Sequence, residues 1–175
     1  MKKTLQISFI FVSGSLFIFF CSCTKPTPVS PTPQITFQSV QQINYGVQYN
    51  DSFDFTINYS DGDGDIGLSQ SDTLPPFNPG SAYYYNLYVD YYEKLGKNFV
   101  KVVPPLTALD TIGWYFRMPV ITTEGKNKSI SGTISFGILC ENAPVYSDTI
   151  MFKIYIYDRA LHKSNVVQSP VLVRE

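Results

Sequence analysis

The chain has 175 residues and a formal net charge of −1, with 13 lysines and arginines against 14 aspartates and glutamates. This length allows one domain of ordinary size, and the near-neutral charge offers no electrostatic case for binding nucleic acid. Aromatic residues make up 15% of the chain, and 12 prolines and 11 glycines separate short apolar runs. Such a composition favours strands joined by turns over helices.

The N-terminus has the order of parts found in an export signal. Two lysines precede an apolar run over residues 5–20, which ends at Cys21-Ser22-Cys23. The run is interrupted by small residues at 13–15 and is short for a membrane span, so it suits the core of a signal peptide. An uncleaved N-terminal anchor is the alternative, and both interpretations place the rest of the chain outside the cytoplasm.

The end of this run resembles the lipobox of bacterial lipoproteins, in which the leader is removed and a cysteine becomes the lipidated first residue. Cys23 fits this role better than Cys21, because small Ser22 precedes Cys23 whereas bulky Phe20 precedes Cys21. The resemblance implies a signal peptide over residues 1–22, lipidation of Cys23, and a lipid-anchored protein of the cell envelope, periplasmic or surface-exposed.

Residues 23–34 form a proline-rich tether. Four prolines occur in the eleven residues from 24 to 34, a density that favours extended polyproline II. At roughly 3.1 Å per residue, the tether would hold a domain about 30 Å from a membrane.

Strand patterns fill the chain from residue 35 to residue 175. Phe53, Phe55 and Ile57 alternate with polar residues, which is the pattern of a half-buried strand. The turn at residues 95–98 predicts a hairpin between the strands on either side of it. The predicted strands are 35–40, 52–59, 83–92, 99–103, 112–118, 130–138, 150–156 and 166–173. The predicted core residues are Phe53, Phe55, Ile57, Leu87, Val89, Trp114, Phe136, Ile154 and Ile156.

This rhythm resembles the immunoglobulin-like and cadherin-like domains of extracellular proteins. The resemblance implies an all-β fold, a single antiparallel Ig-like β-sandwich of about seven to eight strands over residues 35–175. The chain lacks the paired cysteines of antibody domains. Cys140 is the only thiol of the predicted domain, and the apolar run before it predicts a buried, unreactive side chain. Fold class alone implies no activity.

One stretch carries a chemical signal, the sequence Asp61-Gly-Asp63-Gly-Asp65 after the second predicted strand. Carboxylates this close repel one another unless they are solvated or bridged by a cation. Alternating glycines let the backbone curl so that the three side chains converge. Hard oxygen ligands at positions 1, 3 and 5 are typical of calcium loops. The sequence therefore predicts a Ca²⁺ site at this loop.

The stretch resembles the first half of an EF-hand loop but departs from it further on. Counting from Asp61, Ile66 stands where glycine belongs, Ser69 is position 9, and Asp72 replaces the glutamate of position 12. No helix signal flanks the loop. Calcium held by a loop of a β-sandwich, as in cadherin-like domains, fits these residues better than an EF-hand does.

Asp158 is a candidate fourth metal ligand. It follows the strand at 150–156, and in an Ig-like order the loop at 158–164 emerges from the same end of the sandwich as the loop at 61–65. Asp158 would then add a ligand or, with Arg159, pair against the aspartates. In the competing interpretation the loop is a solvated acidic turn with Arg159 or Lys163 as its counter-charge.

A second candidate surface consists of Tyr84, Tyr88 and Tyr92, which recur every four residues in one predicted strand. An exposed row of tyrosines would stack sugars or grip a partner, whereas cross-strand packing is the structural interpretation. The single histidine, His162, falls in a polar turn and is expected to be a solvated surface residue.

These observations predict a cell-envelope lipoprotein whose single domain is a non-catalytic binding or structural module, stabilised by calcium. Its expected partners are the membrane, through lipid, and an envelope protein or a glycan. No nucleophile elbow, zinc spacing or phosphate loop is present in the sequence. Two alternatives stay open: a carbohydrate-binding module that uses the tyrosines, and a hydrolase centred on Asp61–Asp65.

Overall fold

The computed structural model describes residues 29–46, 48, 51–102, 113–121, 128–141 and 143–174. This part of the chain is all-β, with nine strands and no helix. None of its elements has the length and apolar character of a membrane-spanning helix. The strands are β1 (Gln34–Asn44), β2 (Asp51–Asp61), β3 (Leu87–Leu95), β4 (Asn98–Lys101), β5 (Gly113–Phe116), β6 (Ile130–Cys140), β7 (Thr149–Ile156), β8 (Val167–Gln168) and β9 (Leu172–Val173).

The strands form two antiparallel sheets in an Ig-like order. One sheet has the order β1-β2-β6, and the other has the order β4-β3-β7-β8. Strand β5 also pairs with β3, and β9 pairs with β7. The first, second and sixth strands therefore face the third and seventh, as in immunoglobulin-like sandwiches. The predicted all-β antiparallel sandwich is confirmed, and the described residues form nine strands where seven to eight were predicted.

The core lies between the sheets and consists of the inward residues of each strand. Phe53, Phe55 and Phe152 meet there, and the ring of Phe152 lies 5.1 Å from each of the other two, centroid to centroid. Of the nine predicted core residues, seven are fully buried: Phe53, Phe55, Ile57, Leu87, Val89, Ile154 and Ile156. Phe136 and Trp114 are only partly buried and pack against this cluster.

The end of the sandwich where β2 begins holds a buried ion pair. Arg174 lies 3.2 Å from the carboxylate of Asp51, and both residues are nearly inaccessible to solvent. The same guanidinium donates a hydrogen bond of 3.0 Å to the carbonyl of Cys140. Cys140 is buried as predicted, and burial raises the pKa of its thiol to about 12. That thiol stays protonated and unreactive at neutral pH.

Two predicted strands differ from the observed ones. Strand β3 begins at Leu87, so residues 83–86 lie in the turn and irregular segment before the strand. The side chain of Asn86 adds to the backbone bonds there, because it accepts a hydrogen bond from the amide of Met118 at 2.6 Å. The predicted strand 166–173 is split into β8 and β9, since Pro170 has no N–H to donate to a ladder.

Candidate metal centre

The acidic loop begins where β2 ends, at fully buried Asp61. Its shape depends on two glycines. A Cβ on Gly62 would collide with the carbonyl oxygen of Val29, and a Cβ on Gly64 would collide with that of Lys128. Gly64 also has a φ of +70°, a backbone conformation that side chains with a Cβ disfavour. Only glycine at these two positions lets the loop curl this tightly.

The three carboxylates converge as the sequence predicts. One oxygen from each of Asp61, Asp63 and Asp65 lies within 4.8 Å of the other two. The second carboxylate oxygen of Asp61 accepts a hydrogen bond of 3.0 Å from the amide of Asp65, which closes the loop. In all three residues the Oδ1 atom is shielded from solvent and has no hydrogen-bond partner. Shielded carboxylate oxygens without a partner cost desolvation free energy unless a cation meets them.

The electrostatics of the loop reflect this crowding. Burial raises the pKa of Asp61 to about 6, and the neighbouring charge of Asp63 adds to the shift. Burial also raises the pKa of Asp65, with further contributions from the charges of Asp158 and Asp63. Without a cation, the loop therefore holds its charge reluctantly near neutral pH.

The loop at 158–164 meets the acidic loop, as the sequence predicts. Ile66 and Asp158 form an isolated antiparallel bridge. The amide of Arg159 donates to the carbonyl of Asp65 at 3.2 Å, and the amide of Ala160 donates to the Oδ2 of Asp65 at 3.1 Å. The two loops thus support each other at one end of the sandwich.

Asp158 is held by His162, a partner that the sequence interpretation missed. The carboxylate of Asp158 accepts the amide of His162 at 2.7 Å, and the imidazole Nδ1 lies 2.9 Å from its other oxygen. The histidine is exposed at the surface as predicted, but its pairing with Asp158 raises its pKa. Asp158 lies outside the group of three converging carboxylates, although its charge reaches Asp65. Its role as a ligand stays a prediction.

The two counter-charges proposed for a solvated turn lie elsewhere. The guanidinium of Arg159 forms a bidentate pair with Asp72, with one contact of 3.1 Å. The ammonium of Lys163 lies 3.7 Å above the ring of Tyr155. Among the described residues, no ion pair joins a basic side chain to Asp61, Asp63 or Asp65 within 4.0 Å. A bound cation would supply the missing charge.

The residues at the later EF-hand positions have other roles. Asp72 accepts the amide of Ser69 at 2.7 Å and pairs with Arg159, so it caps a turn. Arg117, which the sequence analysis did not single out, fixes the same segment. Its guanidinium donates to four carbonyl oxygens, those of Ser69, Asp72, Phe77 and Tyr84. Nothing in the local sequence signals such a role, since its partners lie 33 to 48 residues away.

The predicted tyrosine row is only partly assembled. Tyr88 and Tyr92 lie on the outer face of β3, but Tyr84 precedes the strand and packs against the guanidinium of Arg117 at 5.0 Å. Tyr88 instead joins tyrosines of neighbouring strands. Its ring stacks on that of Tyr155 at 5.1 Å and contacts that of Tyr115 at 5.0 Å. The row therefore runs across the sheet and not along one strand.

Comparison with known proteins gives no match for this chain, whether with family models, curated proteins or solved structures. The predicted lipidation site Cys23, the signal peptide and most of the tether lie outside the described residues. A metal site needs several acidic, histidine or cysteine side chains close together. Within the described residues, the acidic loop provides such a group.

Proposed function

We propose that this chain is a lipid-anchored cell-envelope protein whose Ig-like β-sandwich is a non-catalytic binding or structural module, stabilised by Ca²⁺ at Asp61, Asp63 and Asp65. Two observations carry the proposal together: the carboxylates of the three residues converge, with one oxygen of each within 4.8 Å of the other two, and each residue has an Oδ1 atom that is shielded from solvent and has no hydrogen-bond partner. Native proteins seldom leave buried polar atoms unpaired unless an ion or another group satisfies them.

Calcium suits this ligand set better than other common cations. The ligands are hard carboxylate oxygens, and the loop offers no sulfur or imidazole of the kind that zinc prefers. Calcium also tolerates an irregular shell that includes backbone carbonyls and water, whereas magnesium demands a small octahedron. A bound ion would cancel the repulsion among the three carboxylates. It would thereby hold the end of β2 against the loops that pack on it.

The binding test is a calorimetric titration of the metal-stripped, full-length chain with CaCl₂. We expect a single site with a dissociation constant of about 10⁻⁴–10⁻³ M, the range of extracellular calcium modules. Asp63→Asn should abolish the binding heat. Asp54→Asn is the matched control, because Asp54 lies exposed on the same segment of chain, within β2. No heat from the unaltered chain, or equal losses in both variants, would refute the site.

The hydrolase alternative uses the same aspartates in another way. A glycosidase needs two carboxyl groups about 5–9.5 Å apart with substrate between them. One oxygen of each aspartate lies within 4.8 Å of the other two, an arrangement in which the three carboxylates are able to share one ion. The carbohydrate-binding alternative has its own support in the outer face of the second sheet.

A further inference from the structure

A groove lies on the outer face of the second sheet, away from the acidic loop. Its volume is about 340 Å³, within the range of about 300–1,000 Å³ that is usual for ligand sites. Strands β3 and β7 contribute neighbouring residues to it, since Asp90 stands opposite Lys153 in the strand register. Its principal lining residues are Asp90, Tyr92, Lys153, Tyr155, Lys163 and Gln168.

The groove carries an excess of positive charge. Its one carboxylate, that of Asp90, is neutralised by the ammonium of Lys101 at 2.7 Å. Lys153 and Lys163 have no carboxylate within 4.0 Å among the described residues, and their ammoniums lie over tyrosine rings instead. Two uncompensated ammoniums in one concavity of a chain with net charge −1 favour an anionic ligand.

One aromatic residue of the groove is held in place by a neighbour outside it. Tyr155, which lines the groove, stacks on the ring of Tyr88 with an interplanar angle of 5°. The hydroxyl of Tyr88 donates to the carbonyl of Ala82 at 2.7 Å, which fixes one end of the stack. The ammoniums of Lys153 and Lys163 lie over the rings of Tyr92 and Tyr155, at 4.5 Å and 3.7 Å from the ring centroids. A ligand that attracts these ammoniums uncovers rigid tyrosine surface, which suits the C–H face of a sugar ring.

We propose that this groove binds an anionic saccharide, a sugar that carries a carboxylate or a sulfate. The acid group draws the ammoniums of Lys153 and Lys163 away from the rings of Tyr92 and Tyr155, and the sugar ring packs on the tyrosine surface that they uncover. Gln168, exposed across the sheet from Lys153, offers an amide to the sugar hydroxyls. The inference goes beyond the calcium site and uses none of its residues.

The test measures binding of short oligogalacturonates to the full-length chain by calorimetry. Their methyl esters serve as the uncharged probe on the same sugar backbone. We expect binding of the acid form at least about tenfold tighter than that of the ester, weakened by added salt. A sulfated oligosaccharide in a parallel arm distinguishes carboxylate from sulfate as the preferred acid group, and binding of either form supports the proposal.

The matched variants remove equal charge from two places. Lys153→Gln with Lys163→Gln should weaken binding by about tenfold or more, since it removes both ammoniums. Lys94→Gln with Lys97→Gln removes two exposed lysines at the β3–β4 turn and should leave binding unchanged. Melting curves confirm that both proteins are folded. Absence of binding to either acid form, equal binding of acid and ester, or equal losses in the two double variants would overturn the proposal.

Failure of this proposal is separable from failure of the calcium site. Asp63→Asn should lose its calcium response and keep its saccharide binding, because Asp63 lies outside the groove. The double variant Lys153→Gln with Lys163→Gln should keep its calcium response and lose its saccharide binding. A variant at either place that lost both properties while still folded would show that the two are not independent and would contradict the assignment of separate sites.

Discussion

At the scale of single residues, the acidic loop holds three like charges close together, and a bound cation would relieve their repulsion. Asp61 is fully buried, and its Oδ1 atom has no hydrogen-bond partner. Among the hydrogen bonds of the described residues, the amide of Asp65 compensates it directly by donating to its other oxygen. The charges of Asp63 and Asp65 work against ionisation of Asp61. Protonation and metal binding are therefore competing ways to relieve the same repulsion.

That competition predicts a pH dependence. The pKa of Asp61 is raised to about 6 in the metal-free fold, so its contribution to stability is present at low pH and is lost as pH rises through about 6. The raised pKa of His162 acts with the same sign. In the presence of chelator, protonation of these two groups should therefore raise the free energy of unfolding when the pH falls from about 7.5 to about 5. Calcium should stabilise more at the higher pH, because it binds the charged carboxylates.

Urea unfolding at the two pH values, with calcium and with chelator, measures this effect. Asp72 should contribute little to the difference between the two pH values, because its pairing with Arg159 lowers its pKa to about 2. Asp61→Asn should flatten the pH dependence in chelator. A calcium effect that is larger at about pH 5 than at about pH 7.5 would contradict the assignment of the ligands.

Gly64 predicts a second residue-scale effect. Gly64→Ala should destabilise the fold and weaken calcium binding, because its φ is +70° and the added Cβ would collide with the carbonyl of Lys128. Gly80→Ala is the matched control, since Gly80 has a φ of +83° and open space around it. The control should cost only the backbone strain, about 1–2 kcal/mol. Urea unfolding measures both, and equal costs would argue against the close approach at Gly64.

At the scale of elements, the segment between β2 and β3 contains no strand, and side chains hold it together with a few backbone bonds such as the bridge of Ile66 with Asp158. Arg117 provides four hydrogen bonds to carbonyl oxygens of this segment. Asn86 provides the last link before β3, with its amide donating to the carbonyl of Met118 at 3.3 Å. Asn165 does the same for β1, accepting the amide of Ile35 and donating to its carbonyl, each at 2.8 Å.

Loss of Arg117 should therefore cost more than loss of a surface arginine. Arg117→Met should lower the free energy of unfolding by at least about 1.5–3 kcal/mol, the contribution of a hydrogen bond to a charged group. Arg159→Met removes a partly exposed pair with Asp72 and should cost less than about 1 kcal/mol. Urea unfolding compares the two variants. Similar costs would mean that the segment does not depend on Arg117.

The sequence predicts the strands and most of the core because these follow local patterns. Phe53, Phe55 and Ile57 alternate with polar residues, and all three are buried. Strand ends are different, because they depend on partners far along the chain. The start of β3 is set by the contact of Asn86 with Met118, 32 residues away. No local pattern at residues 83–86 carries that information.

Part of the candidate metal site was likewise predictable from the sequence. The convergence of Asp61, Asp63 and Asp65 follows from their spacing and the glycines between them. The approach of Asp158 follows from the order of strands in an Ig-like sandwich. The bond from Asp158 to His162 was not predictable, because it depends on the tight turn that brings the imidazole back onto the carboxylate. The cross-sheet tyrosine row depends on strand register, which a single sequence does not give.

At the scale of the whole molecule, the proposal joins a membrane anchor to a folded module. Intact mass analysis of the mature N-terminus should show removal of residues 1–22 and lipid on Cys23. Cys23→Ala should leave the membrane fraction, because stable anchoring requires more than one lipid chain and the variant would carry none. Cys21→Ala is the matched control and should stay membrane-bound. An unmodified N-terminus, or a Cys23→Ala protein that remains in membranes, would refute the anchor.

The most direct test of the central claim is the melting temperature of the metal-stripped chain in calcium and in chelator. At a hundredfold excess over the dissociation constant, binding to the folded state alone adds about 2.7 kcal/mol. For a domain of this size that corresponds to a rise of about 5–10 °C. Magnesium should have a smaller effect, and Asp63→Asn should have none of the rise. Identical melting curves in calcium and in chelator would contradict the account and leave the loop an acidic turn.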